Sequence, residues 1–341
     1  MKEPFNPIER KIAVIGGGTG SFTLLSSLKN YTSQIAALVN MADDGGSTGV
    51  LRDELGALPP GDVRQCLVAL SESPKVRELF NYRFEEGSLK GHAFGNLFLT
   101  ALEKMTGDFA AGVELASEVL GVRGVVAPIT LSNVKLIMKR SDGTEVRGEF
   151  EIADMDFHGE RPKFRLDPLA EPNQMALRAI ETSDMVVIAP GNLYGSLAPA
   201  LIVPGIGDAL RKSKAVKVYV SNLMTKPGQT DNFDVQDLAE EIERLAGGEF
   251  LDAVLYNTKK PSDELLSKYA QANEKIVDFD KEKLREAHFS AVGTNLVSGL
   301  AWQNSSGSDP IATSRTYIRH DSLATANALI RLYDYFDGKR S

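Results

Sequence analysis

The chain has 341 residues, 43% of them hydrophobic and 25% charged, with a mean hydropathy of −0.16, ordinary values for a soluble globular protein long enough for one large α/β domain. A net charge of −8, with no basic stripe carrying interleaved aromatics, argues against nucleic acid or an anionic membrane surface as a partner. The single cysteine, Cys66, excludes an internal disulfide and points to a reducing compartment, and no window approaches the ~18 apolar residues of a membrane span. The opening MKEPFNPIERK has charges and two prolines but no apolar core, so it does not read as a signal peptide, and the chain reads as cytoplasmic.

Residues 12–15 form a short apolar run of the kind shown by a strand buried on both faces. Gly16, Gly17, Gly18, Thr19, Gly20 and Ser21 cut it off, and Phe22, Leu24, Leu25 and Leu28 then recur at helical spacing. Strand, glycine turn and helix together make an anion site: the backbone can approach a ligand, and the helix N-terminus offers free N–H groups. The turn therefore reads as a phosphate cradle. Its spacing is close to G-x-G-x-x-G with Ser21 in the third place, and the P-loop lysine is missing. Residues 35–39 read as the second strand, and Asn40 stands where a dinucleotide-binding protein carries its ribose-binding acid. Asp43 and Asp44 follow in a glycine-rich loop, with Ser47, Thr48 and Arg52 after them. Adjacent carboxylates beside a phosphate cradle make sense with a Mg²⁺ ion between them and the phosphate, or as groups orienting sugar hydroxyls or a nucleophile. A solvated acidic loop is the plain alternative. Pro59, Pro60 and Gly61 force a turn, and Asp62 is placed to N-cap a helix over 63–70, with Cys66 in its apolar face.

Residues 75–84 read as a helix, and Phe94, Leu97, Phe98, Leu102 and Met105 share one face of the next. Asn96 lies off that face, toward a ligand. His92 immediately precedes the helix, where its imidazole can donate to a phosphate, receive a proton, or simply bond to local backbone. A further helix covers about 110–120. Residues 125–152 alternate on both sides of Asp142-Gly143, a hairpin signal, so about 125–170 reads as an antiparallel insertion on the main sheet, with 154–167 at its edge and His158 solvated.

The parallel pattern resumes at 185–189 and ends in Pro190, Gly191, Asn192, Leu193, Tyr194, Gly195 and Ser196. Ligands of open parallel sheets bind beyond the carboxyl ends of the strands. Two such loops, 16–21 and 191–196, suit a ligand with two recognised ends, such as a diphosphate carrying a group on each side. A strand over 216–220 leads to Asn222 and Thr225, which can bond a base or sugar. Later expected elements are a helix around Leu238, Ile242 and Leu245, a strand over 250–256, a helix over 265–269, a short strand over 275–279 and a helix over 323–335. Residues 305–309 read as a small loop. Arg319 offers a planar fork for a diphosphate or a stacking face for a base. The fold class is α/β: a Rossmann-like, doubly wound, mostly parallel sheet with helices on both faces and an antiparallel hairpin insertion, in a single domain over 1–341. Nothing signals a flavin or haem site.

ADDGGSTGVLR, LPPGDVRQCLVAL, GHAFGNLFLTAL, GNLYGSLAPALIVPGI and SNLMTKPGQT, in this order, resemble the gluconeogenesis-factor family, a branch of the superfamily of the 2-phospho-L-lactate transferases. The chain departs from the family's usual pattern at Asn192, at Ala93-Phe94 and at Lys226. The resemblance implies a cytoplasmic factor, needed for normal growth and cell shape on gluconeogenic carbon sources, that binds UDP-sugars such as UDP-N-acetylglucosamine. It further implies that Arg319 and Tyr269 match positions associated with nucleotide-sugar binding. The superfamily implies an alternative, a Mg²⁺-dependent transferase moving a phosphate-linked group from a nucleotide diphosphate to an acceptor hydroxyl. Asp43 and Asp44 would then hold the metal or activate the acceptor, and Asp62 or His92 would assist proton transfer. An NAD-dependent oxidoreductase rests on the glycine turn alone. A homo-oligomer and a protein partner are both open to a regulatory factor.

Overall fold

The structure, a computed structural model, describes residues 10–263, 266–267, 273–298 and 318–340. In chain order its strands are β1 (Ile12–Gly16), β2 (Ile35–Val39), β3 (Val125–Pro128), β4 (Lys135–Lys139), β5 (Glu145–Arg147), β6 (Lys163–Asp167), β7 (Met185–Ile188), β8 (Val216–Val220), β9 (Ala253–Asn257) and β10 (Ser290–Thr294). The main sheet is parallel throughout, in the order β10-β9-β8-β7-β1-β2-β3. β1 lies between β2 and β7, with Ile12 opposite both Ile35 and Met185. From β1 the chain adds strands in one direction through β2 and β3, and from β7 in the other. The order therefore reverses between β1 and β7, where a crevice opens at the carboxyl ends.

The apolar run of β1 is continuous because each face of the sheet is covered by its own core. Ala13 and Ile15 pack with Leu38, Val186 and Ile188 on one face, and Ile12 and Val14 with Leu24, Leu25 and Val187 on the other. The second face is covered by α1 (Gly18–Leu28), α3 (Gly61–Leu70), α5 (Phe94–Thr106), α6 (Phe109–Leu120) and the closing helix Ser322–Arg340, with α2 (Gly46–Leu55) and α4 (Pro74–Asn81) alongside. The first carries α8 (Gln174–Thr182), α9 (Ala198–Leu201), α10 (Ile206–Lys212) and α11 (Val235–Ala246). The small antiparallel sheet β5-β4-β6 packs on the same face through Leu136, Met138 and Leu166. Among the described residues no single helix is long and apolar enough to cross a membrane.

The structure moves several sequence expectations. Residues 125–128 pair parallel to β2, Ala36 opposite Val125, so they belong to the main sheet, and the antiparallel unit runs from Lys135 to Asp167 as a sheet of its own. Alternation alone does not distinguish a parallel edge strand from an antiparallel one. The Asp142-Gly143 hairpin forms as expected, with Gly143 at φ 88°. Residues 275–279 make only the isolated bridge of Ile276 with Met224, and the last strand of the sheet is β10 instead. The helix expected over 265–269, including Tyr269, and the 305–309 loop fall on residues that are wholly or largely outside those described.

Candidate functional site

The carboxyl ends of β1, β2, β7 and β8 open into a cavity of about 930 Å³. Its floor is the first turn of α1, where Gly18, Thr19, Gly20 and Thr23 line the space. Gly18 has φ +59°, a conformation that L side chains rarely adopt. No acidic residue stands in the first turn of α1 itself, where the positive end of the dipole favours an anion, although one N–H, that of Gly18, is already taken by the Asp62 carboxyl. Gly20 abuts the loop after β7 so closely that a Cβ there would lie 1.6 Å from the Pro190 carbonyl oxygen. Ser21 is buried under this turn, its Oγ 2.7 Å from where a Cβ on Gly16 would stand. It thus fills the helix-against-strand role of the third glycine rather than reaching the cavity, and Gly16 and Gly17 also lie beneath the lining.

Asp62 changes role. The helix α3 begins after Pro60, and Asp62 makes no side-chain cap to its own helix. Its carboxyl instead accepts the N–H of Gly18 and fills the space over Gly17, whose Cβ would lie 2.0 Å from Oδ2. Burial, with the charges of Asp43 and Glu149 adding to it, pushes Asp62 up to about 8. Glu149, the first residue of α7 (Glu149–Ala153), is pushed up to about 7 by burial and by Asp43 and Asp44. Burial also raises Asp43, against hydrogen bonds from Gly45 and Thr48. Asp44, expected beside Asp43, turns away: its Oδ1 accepts the Phe150 N–H at 2.9 Å, and it does not line the cavity. Asp43, Asp62 and Glu149 are therefore the mutually interacting carboxyls on the cavity wall, which Asp154 and Glu274 also line. Among the described residues no three Asp, Glu, His or Cys side chains converge as a cation cage. Asp43 and Asp62 offer what Mg²⁺ commonly takes from a protein when phosphates and water complete its shell, one or two carboxylates.

Amides, hydroxyls and charged side chains ring the rest. Asn40 accepts the Ala42 N–H at 3.0 Å and lines the cavity between β2 and the 191–196 loop. Asn96 accepts from Arg64 Nε at 2.9 Å and donates to Ser47 Oγ at 3.3 Å, and Ser47 lies 2.9 Å from His92 Nδ1. His92 thus stands behind Ser47 and is not itself part of the lining. Gly191, Asn192 and Ser196 line the side below β7, and Asn222, Thr225 and Arg319 the side below β8. Arg52 is buried elsewhere, its guanidinium on the Val134 carbonyl.

The family described as 2-phospho-L-lactate transferase CofD matches residues 12–297. The chain belongs to the CofD family. The gluconeogenesis factor of Bacillus subtilis is 40% identical over 331 residues, which span 94% of this chain and 98% of the relative. A putative gluconeogenesis factor of Clostridium acetobutylicum is 42% identical over 324 residues, 94% of this chain and 69% of that protein. The crystal structure of a upf0052-family protein from Bacillus halodurans superposes with a TM-score of 0.85 at 38% identity, covering 95% of this chain and all of that one.

In this CofD-family chain the 191–196 loop does not present all its residues to the crevice. Asn192 Oδ1 accepts the N–H groups of Tyr194 and Gly195 and starts a single π-helical turn, Leu193–Leu197. That turn carries Leu193 and Tyr194 into the core, where the Tyr194 ring packs on Phe157 and Phe164. The Tyr194 hydroxyl donates to Glu241 Oε1 at 2.9 Å, a fully buried carboxylate also held by Arg244. Tyr194→Phe should therefore cost about 2 kcal/mol of stability, the worth of a buried hydrogen bond to a charge, and leave ligand affinity within about twofold. Urea unfolding and a ligand titration check the two halves; a large loss of affinity with unchanged stability would return Tyr194 to the site.

Other lining residues are unanticipated: Glu149, Arg64, Arg83, Lys226 and His320. Arg64, 7% exposed on the face of a core helix, carries a sequence signal, because a charge there needs partners. Glu149 carries none; it reaches the cavity because α7, which follows β5, packs on the π-helical turn after β7, where a Gly195 Cβ would lie 2.1 Å from its Oε1. Burial lowers Lys226, while Glu149 attracts it.

Proposed function

We propose that this cavity binds a nucleotide diphosphate, specifically a nucleotide sugar of the UDP-N-acetylglucosamine type, and that the chain acts as a regulatory factor rather than chiefly as a catalyst. The growth and cell-shape role implied by the resemblance to the gluconeogenesis factors goes with this reading. One observation carries it: the first turn of α1 lines a cavity at the point where strand order reverses, the place where α/β sheets bind phosphorylated ligands. The volume lies within the ~300–1,000 Å³ typical of sites that enclose organic ligands. On either side of the turn the lining carries amides and hydroxyls that suit a sugar and a base, with Arg64, Arg83, Lys226 and Arg319 to balance phosphate charge.

A bare diphosphate would hold Asp43 and Asp62 all the more in their protonated forms, whereas one that arrives with Mg²⁺, which would be held by these two carboxyls, would let them ionise and would neutralise the phosphate charge. Titrating UDP-N-acetylglucosamine calorimetrically should give saturable one-to-one binding, weakened about tenfold or more when EDTA removes Mg²⁺. The absence of heat from UDP-sugars, together with turnover of a GTP-activated acid, would overturn the reading in favour of the phosphate-group transferase. That second reading has its own support in Asp62 and Glu149, which titrate near neutrality on the cavity wall and so could move a proton.

A further inference from the structure

His320 is held at the cavity wall by a ladder with an otherwise separate stretch of chain. Its backbone bridges Val297, the Ser298 N–H donates to the Arg319 carbonyl at 2.9 Å, and the Asp321 N–H donates to the Leu296 carbonyl at 2.7 Å. The ring is fixed as well, because Nε2 lies 3.1 Å from the Ser221 carbonyl oxygen at the end of β8. A carbonyl oxygen only accepts, so Nε2 carries the hydrogen. Burial pushes the imidazole down to about 4, and the ring is neutral at physiological pH. A neutral ring with its hydrogen on Nε2 leaves Nδ1 as a bare acceptor. Among the described residues Nδ1 has no hydrogen-bond partner, and the ring lines the cavity. The wall thus presents one oriented acceptor to whatever occupies the space.

The surroundings say which part of a ligand meets it. Leu223 and Met224, which follow Ser221, and Ile318, two residues before His320, give apolar lining, with Thr225, Lys226 and Arg319 on the same stretches. A flat base suits the apolar part of this lining, and its charged and hydroxylated neighbours suit the rest of a nucleotide. We infer that His320 is a specificity residue for the nucleobase, its Nδ1 accepting the ring N–H of uracil or guanine and rejecting cytosine, whose ring nitrogen at that edge is itself an acceptor. The inference rests on the nucleotide reading above and adds to it the side chain that reads the base. Two facing lone pairs leave both buried acceptors unpaired, which makes this discrimination larger than the loss of a single contact.

Titration of the full chain with UDP, GDP and CDP in Mg²⁺ tests it. The wild type should prefer UDP or GDP over CDP by about 10- to 100-fold. His320→Gln keeps a donor for Ser221 but puts no acceptor where Nδ1 stands, and should bring the ratio to within about threefold. His320→Asn places Oδ1 near the Nδ1 position and should retain most of the preference. Circular dichroism verifies the fold of each variant, and the wild-type ratio decides even if neither variant folds. Equal wild-type affinity for UDP, GDP and CDP would overturn the inference, as would a His320→Gln variant that weakens all three nucleotides by one common factor. If the wild type binds neither these nucleotides nor UDP-N-acetylglucosamine, the nucleotide reading itself falls and takes this inference with it; the wild-type titration therefore separates the two failures.

Discussion

Asp62→Asn should stabilise the unliganded protein at pH 8 by on the order of 3 kcal/mol and remove much of its loss of stability between about pH 4 and pH 8. The Asp62 carboxyl lies between the glycine turn and two other acids, and burial, Asp43 and Glu149 together raise it to about 8. The folded protein keeps this proton where the unfolded chain, with an ordinary aspartate, has already lost it. Folding therefore takes up a proton between about pH 4 and pH 8, and stability falls as pH rises through that window by at most about 1.4 kcal/mol per unit. Below about pH 4 both states are protonated and the effect is absent; above about pH 8 the loss is complete. The stabilisation is smaller than the full shift implies, because Glu149 titrates nearby and the pair faces an open cavity. Asparagine matches the side chain in size, keeps an acceptor for the Gly18 N–H and does not ionise. Thermal melts in EDTA at pH 5, 6, 7 and 8 measure the two slopes. Parallel slopes for wild type and variant would show that Asp62 does not carry the proton. In Mg²⁺ the difference should narrow, because a bound cation discharges the carboxyl that the substitution removes.

Asp62 also shows where the sequence stops being legible. Pro-Pro-Gly-Asp ahead of an apolar helix reads locally as a cap, and nothing within the segment says that the carboxyl serves the first turn of α1 instead. The strand, turn and helix at residues 12–28 were legible because a run buried on both faces, broken by glycines, has few other structures open to it. The carboxyl-end loops were legible for the same reason, and the sheet order then follows from parallel pairing around β1. Tyr194 was misplaced because a loop of small polar residues looks solvent-facing, while one π-helical turn begun by Asn192 suffices to turn an aromatic inward. The parallel edge of β3 and the short β10, SAVGT, carry patterns too brief to fix their partners. Glu149 and His320 were missed for one physical reason. What makes each notable is a neighbour distant in the chain, Asp43 for the first and the Ser221 carbonyl for the second, and only the folded sheet brings these together.

Gly20→Ala should cost about 3 kcal/mol or more of stability and weaken ligand binding by at least about 100-fold. The added methyl would lie 1.6 Å from the Pro190 carbonyl oxygen and 2.7 Å from its carbon, and both are backbone atoms that no rotamer change moves aside. Either α1 withdraws from β7 by more than an ångström or the loop over residues 190–196 is pushed away, and each response pulls apart the two loops that face each other across the crevice. Sites that cradle phosphate through backbone N–H groups depend on spacing at the scale of a hydrogen bond, so the binding loss should exceed what the stability loss alone produces. Gly338→Ala is the matched control: it lies in the closing helix, a Cβ there meets nothing within 4 Å, and alanine should be neutral or stabilising by up to about 1 kcal/mol. Urea unfolding of both variants, with UDP-N-acetylglucosamine titrated onto whatever remains folded, measures the pair. A Gly20→Ala protein that unfolds at the wild-type midpoint and binds with wild-type affinity would mean that the contact between α1 and the β7 loop does not shape the cavity, and the cradle would have to be sought elsewhere on the sheet.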